Sequence, residues 1–364
     1  MQAAEEFRTI PEIFAAARRR LPREVWDYAV GGAETEATLR RNRWALDAIT
    51  FRPRVLRGVG HVDAGTTLFG LPLRLPVVLG PVGSIALFAP EGALACARAA
   101  VRAGSTACIG LLAHPGLEEV ARGAGGSLLF QLYVRGDRSW MEDMVRRVER
   151  AGYAGLCLTV DSAVYGRRER DLRNRFNPRL AGGERPNVGR LSTAGAEFQA
   201  GWTWEDAAWL RRITRLPLAM KGIVTADDAR LAVEHGYQAV WVSNHGGRQL
   251  DFLPSTVEVL QEVVAAVGGR AEVVVDSGFM RGTDVVKALA LGARAVMVGK
   301  AMVLGLAAAG EAGVHRLLTL LDEEIRTTMA LLGARTTAEL SPACVRLPRF
   351  DAAWGPGSRV NDPL

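Results

Sequence analysis

The chain has 364 residues, 49% of them hydrophobic and 23% charged, enough to bury a full core in one large α/β domain or two ordinary ones. A net charge of +6 and a pI near 9.5 raise the question of nucleic acid, but the basic residues are spread through predicted helices and one loop without a DNA- or RNA-binding motif, so no nucleic-acid partner is expected. Cys96, Cys108, Cys157 and Cys344 show no paired spacing, which argues for reduced thiols, no disulfide and no metal.

Met1 to Glu6 is polar and acidic, and no apolar stretch reaches the roughly 18 residues that suggest a membrane span. A soluble, cytoplasmic protein is expected. A helix opens at Ile10-Pro11 and runs to Arg20, Leu21-Pro22 breaks it, and a short continuation ends at Gly31-Gly32. Another helix is predicted over 34–48, so 1–50 reads as a helical extension.

A rhythm then sets in. Short aliphatic runs, each followed by a polar or glycine turn and a helical pattern, fall at 76–79, 106–109, 128–134, 156–160, 218–220, 240–242, 273–275 and 295–298. Eight strands alternating with helices predict a parallel sheet, and eight is the number that closes a (β/α)8 barrel of the TIM type. An open doubly wound sheet is the alternative. It is disfavoured because Gly80-Pro81-Val82-Gly83-Ser84, and no dinucleotide fingerprint, follows the first strand.

The barrel is placed at 51–335 of a single domain, with one long interruption at 162–203. That interruption starts with the charged run Arg167 to Arg175 and continues through breakers at Gly182, Gly183, Pro186 and Gly189. It reads either as a mobile lid or as an ordinary solvated loop. The tail, 336–364, with Pro342, Pro348, Gly355 and Pro356, reads as an irregular wrap.

A barrel gathers its carboxyl strand ends on one face. Strand three ends in Gln131-Leu132-Tyr133, strand four in Thr159-Val160-Asp161, strand five in Lys221-Gly222, strand six in Ser243 to Asp251 with His245 and Arg248, and strand seven in Asp276-Ser277-Gly278. Histidine takes a proton near neutral pH, and arginine grips a carboxylate with two parallel bonds. A base and an anion clamp together suggest a small acidic substrate. Each residue alone has a bland reading as a packed or capping group, Asp276 and Thr159 above all, but a lysine, an aspartate, a histidine and an arginine at one face are costly to bury without a ligand.

These motifs, with Tyr28, Gly166-Arg167-Arg168 and Arg281-Gly282-Thr283-Asp284, occur in order between about Leu21 and Gly333. The set resembles the FMN-dependent α-hydroxy-acid oxidase and dehydrogenase family, whose members include glycolate oxidase, lactate oxidase and mandelate dehydrogenase. Arg168-Glu169-Arg170-Asp171-Leu172 and Val275 to Phe279 are most similar to the mandelate dehydrogenase versions. The resemblance implies FMN as cofactor, a 2-hydroxy acid as substrate, oxygen or a quinone-like molecule as electron acceptor, and a homotetramer.

It also implies roles. His245 would be the general base, and Asp161 would hold its ring. Arg168 and Arg248 would clamp the carboxylate, and Tyr28 and Tyr133 would hydrogen-bond the substrate. Lys221, Gln131 and Thr159 would meet the flavin ring, with Pro81, Val82, Gly83, Gly110, Ser243, Asp276 and Ser277 around it. Gly278, Arg281, Gly299 and Lys300 would hold the phosphate.

The family usually has arginine where Met280 stands, glycine-arginine-proline where Gly299-Lys300-Ala301 stands, and serine at Gly110, which leads us to expect weakened FMN binding. The apolar Gly110-Leu111-Leu112 favours a hydroxy acid with an apolar or aromatic side chain. A biosynthetic oxidase acting on a larger hydroxy- or amine-bearing metabolite is the second reading, and a non-enzymatic flavin-binding or structural barrel the third.

Overall fold

All eight predicted runs are parallel strands: β1 (Val77–Leu79), β2 (Thr106–Gly110), β3 (Leu129–Leu132), β4 (Gly155–Thr159), β5 (Leu218–Ile223), β6 (Ala239–Val242), β7 (Glu272–Val275) and β8 (Ala295–Val298). They close in the order β7-β8-β1-β2-β3-β4-β5-β6, with Val298 of β8 opposite Leu79 of β1. The expected (β/α)8 barrel is therefore the observed one, and predicted strand ends lie within three residues of the observed ones. This computed structural model describes residue 4 and residues 6–183, 185–188 and 199–350. Parts of the predicted loop, including Gly189, and of the tail, including Gly355 and Pro356, lie outside the described residues.

Side chains alternate along a strand with a period of two, and this alternation builds the site. One buried layer inside the barrel is apolar: Val78, Cys108, Leu129 and Cys157 from the first four strands, and Ala219, Trp241, Val274 and Met297 from the others. Two positions further along every strand, toward the carboxyl end, stand Gly80, Gly110, Gln131, Thr159, Lys221, Ser243, Asp276 and Gly299. The next inward layer is thus polar or glycine throughout. Trp241, almost wholly buried, is among the largest side chains of the apolar layer and forms part of its floor. The hairpin Thr66–Leu68 and Leu71–Leu73 plugs the opposite end, where Leu68 and Leu73 join the interior cluster and Phe69 N donates to Glu272 at the start of β7.

Three helices precede the barrel: α1 (Ile10–Arg20), α2 (Arg23–Val30) and α3 (Ala37–Ala48). Pro11 and a Thr9–Glu12 capping box start α1, and its stripe of Ile10, Ile13, Phe14 and Ala17 is buried. The last residue of the β6 motif, Asp251, accepts hydrogen bonds from Ala37 N, Thr38 N and Thr35 Oγ1. It caps α3, so the motif after β6 extends to Asp251 to pin a helix that lies more than two hundred positions away. Asn42 of α3 and Asn244 exchange a reciprocal pair of hydrogen bonds at 2.9 and 2.8 Å. Gly247 is required at this junction, since at φ 72° an added Cβ would sit 2.6 Å from Leu39 N.

The long helix Lys300–Leu332 is apolar and long enough to pass for a membrane span by length and composition, a feature the sequence reading missed. Most of its apolar window is buried, and the helix, with Leu317, Leu318, Leu321 and Ile325 buried along it, packs against α1 and the Gly92–Arg102 helix. It is a core helix, broken by non-helical Ala309 and Gly310. In the interruption after β4, the described residues form two short helices, Glu169–Arg173 and Pro178–Ala181, and they are tied down. Asn187 accepts from Leu117 N and donates to Leu111 O, and Gln199 links Val134 N to Thr159 O. The tail is less irregular than expected: Val345–Arg346 pairs with Thr50–Phe51.

Candidate active site

The polar layer opens into a cavity of about 630 Å³ at the carboxyl end of the barrel. Of the residues expected here, Tyr28, Tyr133, Thr159, Arg168, Lys221, His245, Arg248, Asp276, Ser277, Gly278, Gly299 and Lys300 line it, as do Pro81, Val82 and Gly83. Gly110, Gln131, Asp161 and Ser243 stand directly behind these lining groups: Gln131 is opposite Gly110 in the strand register, and Ser243 Oγ accepts from Lys221 Nζ at 2.7 Å.

His245 sits in the left-handed region at φ 57°, a backbone state that costs a non-glycine residue energy and that concentrates at functional sites. Its Nδ1 is 2.9 Å from Asp161 Oδ1, which leaves Nε2 for the cavity. Burial works against the Asp161 charge, but the His245 charge and hydrogen bond, with Lys221 and Ser162, outweigh it and hold this carboxyl below its usual range. Lys221 is buried between Asp276, 3.0 Å away, and Ser243. Burial alone would lower its pKa, yet the Asp276, Asp161 and Tyr133 charges raise it, so the ammonium keeps its proton. Burial and the Asp161 charge push the Tyr133 phenol up to about 12.

Arg168 and Arg248 flank one face of the cavity. Arg248 donates to the carbonyls of Tyr28 and Gly31 at 2.7 and 2.8 Å and lies 5.0 Å from the Tyr28 ring centroid. Arg168 bonds the Tyr165 hydroxyl at 2.6 Å and stacks over that ring. Burial, then the charge of Arg168, lowers the Arg248 pKa. Among the described residues no carboxylate forms an ion pair with either arginine, so two neighbouring guanidinium groups give this face of the cavity a concentrated positive charge suited to an anionic ligand.

The structure corrects one expectation. Arg281 does not line the cavity: Asp284 accepts from Met280 N and Arg281 N, and this helix start turns the Arg281 guanidinium to Glu324 at 3.7 Å while Met280 faces inward. The sequence reading placed Tyr28 of the helical extension here but missed the share of α3 and its N-cap in the lining. Glu36, Leu39, Arg40 and Arg43 all face the cavity at helical spacing, and Phe88 and Tyr165 join them. Arg43 is fully engaged, with bonds to Asp47, both Asp284 oxygens and Gly278 O. At Glu36, burial opposes ionisation, but hydrogen bonds from Arg170 and Gly32 and the charges of Arg170 and Lys300 lower its pKa.

Residues 17–347 match the FMN-dependent dehydrogenase family. Glycolate oxidase of Spinacia oleracea is 44% identical over 369 residues, covering 98% of this chain and 99% of its own. Glycolate oxidase 1 of Zea mays is 44% identical over 349 residues, covering 92% and 95%. Among solved structures, a mandelate oxidase aligns with TM-score 0.88 at 42% identity over 94% of this chain and 98% of its own. A soluble mutant of the membrane-associated (S)-mandelate dehydrogenase from Pseudomonas putida aligns with TM-score 0.86 at 38% identity, over 93% and 99%.

The residues present fit a flavin. Gln131 Nε2 and Thr159 Oγ1 are buried without a hydrogen-bond partner, an expensive state unless a polar ligand edge completes them. Lys221 adds a fixed positive charge beside them, and the ends of β7 and β8 with the helix starting at Lys300 form the usual phosphate position of this barrel. The chain belongs to the FMN-dependent 2-hydroxy-acid oxidase and dehydrogenase family, and it is an enzyme that oxidises (S)-2-hydroxy acids with FMN as its cofactor.

Proposed function

We propose that the substrate is an (S)-2-hydroxy acid with an apolar or aromatic side chain. The observation that carries this reading is the wall beyond the arginine clamp. Phe88 stacks on the Tyr28 ring at 6.3 Å between centroids, and Leu112 packs beside Gly83 in the cavity lining. Each methylene that such a wall removes from water contributes about 0.8 kcal/mol, so a larger apolar group gains binding that glycolate cannot.

In this reading Arg168 and Arg248 take the substrate carboxylate, and a planar guanidinium does so with two parallel bonds. Tyr28 and Tyr133 hydrogen-bond the substrate and fix the 2-hydroxyl near His245. Nε2 of His245 takes the hydroxyl proton, while Asp161, bonded to Nδ1, stabilises the imidazolium that forms. Bound FMN would supply the chemistry no side chain here has, acceptance of the α-hydrogen together with its two electrons as the Cα–H bond breaks and the hydroxyl carbon becomes a ketone. Lys221 holds positive charge where that electron density arrives.

An anaerobic screen of 2-hydroxy acids, read by bleaching of flavin absorbance, tests the proposal. Mandelate-like and long-chain acids should exceed glycolate in kcat/KM. A preference for glycolate would overturn it.

A further inference from the structure

A dianionic phosphate needs cationic or N–H donors, and the phosphate end of this barrel has few to give. Met280 presents a thioether, Arg281 is turned to Glu324, and Arg43 spends its donors on Asp47, Asp284 and Gly278. Lys300 remains, but its Nζ donates to Val30 O and its charge is shared with the nearby Glu36 carboxylate. One more cation lines the same cavity. Arg40 stands on α3, one turn after the N-cap Glu36 and three positions before Arg43, and all three line the cavity.

The two flanking residues fix where this part of the lining lies. Glu36 feels the ammonium of Lys300, at the end of β8, and Arg43 bonds the carbonyl of Gly278, at the end of β7. Arg40 therefore lies between the ends of the two strands that form a barrel's phosphate site. Its Nη1 is anchored on Thr35 O at 2.8 Å, which steadies the side chain, and among the described residues no carboxylate pairs with it.

We infer that Arg40 is a phosphate-binding residue of the FMN site, reaching the phosphate from the helical extension rather than from the barrel. The inference rests on FMN being the cofactor. It moves a charge that the turn after β7 lacks onto α3, where the capping of that helix by Asp251 holds it in place.

Riboflavin, which lacks the phosphate, separates this role from a structural one. Full-length protein stripped of flavin is titrated with FMN and with riboflavin, following quenching of flavin fluorescence, for wild type, Arg40→Ala and Arg40→Lys. The alanine variant should bind FMN about tenfold or more weakly, the scale of one lost charge-assisted bond, while its riboflavin affinity changes by less than about twofold. Arg40→Lys should fall between, because it keeps the charge and loses the fork. Wild-type FMN affinity should also fall more steeply with added salt than that of Arg40→Ala. Equal losses for both flavins would assign Arg40 to the fold, and no loss for either would place it away from the phosphate; each result overturns the inference. A wild type that binds neither flavin would overturn the cofactor assignment along with it, a different outcome from the first two.

Discussion

Asp161 Oδ1 lies 2.9 Å from Nδ1 of His245, the end of β4 meeting the end of β6 across 84 positions of sequence. The contact selects which ring nitrogen faces the substrate and leaves Asp161 Oδ2 buried without a partner, so the carboxylate has spare capacity when the imidazole becomes charged. Substitution of either residue should therefore strike the chemical step and spare the cofactor.

For His245→Ala, FMN should stay bound while the rate of flavin reduction in a single turnover falls by about 10²-fold or more, the usual scale for a positioned general base. Reduction at the wild-type rate in a stopped-flow experiment would remove His245 from that role.

Asp161→Asn should lower the same rate and also change the response to acid. The folded pKa of Asp161 is depressed, so its contribution to stability is fully present above the unfolded value of about 3.9 and is lost as the pH falls through the lower folded value. Urea unfolding between about pH 6 and pH 3 should show wild-type stability falling more steeply at the acid end than that of the asparagine variant. Parallel slopes would mean that the Asp161–His245 contact is not coupled to folding.

Strand periodicity explains what could be read from the chain and what could not. Lys221, Ser243 and Thr159 follow an apolar inward residue by two positions on their own strands, so local pattern was enough to bring them together. The share of α3 was illegible because it depends on docking between distant segments: Arg43 meets Asp284 across 241 positions, and no local pattern announces that pairing. Arg281 was misread for a similar reason. Which of two neighbouring side chains faces inward is decided by Asp284 capping the helix start, and the turn's composition looks the same either way.

We expect the electron acceptor to turn on Gly83. Gly83 carries no side chain, and an added Cβ at this position would meet Leu112 Cβ at 3.3 Å beside the cavity, so the glycine keeps open room that one methyl group would fill. We expect slow reaction of the reduced enzyme with oxygen and faster transfer to a quinone-like dye. Hydrogen peroxide formed in air as fast as the dye is reduced would show that the missing methyl does not set the acceptor.

Met280 gives the last prediction. Its side chain is 5% exposed and lines the cavity, while its backbone N–H is held by Asp284, so the turn is fixed and a longer side chain at this position has only the cavity to enter. Met280→Arg would place a guanidinium at the phosphate end, where a charge-assisted bond contributes roughly 1.5–3 kcal/mol, or about 10- to 100-fold in affinity. FMN titration of stripped protein should show that gain, with riboflavin unchanged. In the double variant with Arg40→Ala the gain should be larger than in wild-type background, because two guanidinium groups competing for one phosphate are not additive. Equal FMN dissociation constants for Met280→Arg and wild type would mean that this side chain does not reach the phosphate. Strict additivity in the double variant would mean that Arg40 and position 280 do not share a ligand, even if each affects binding alone.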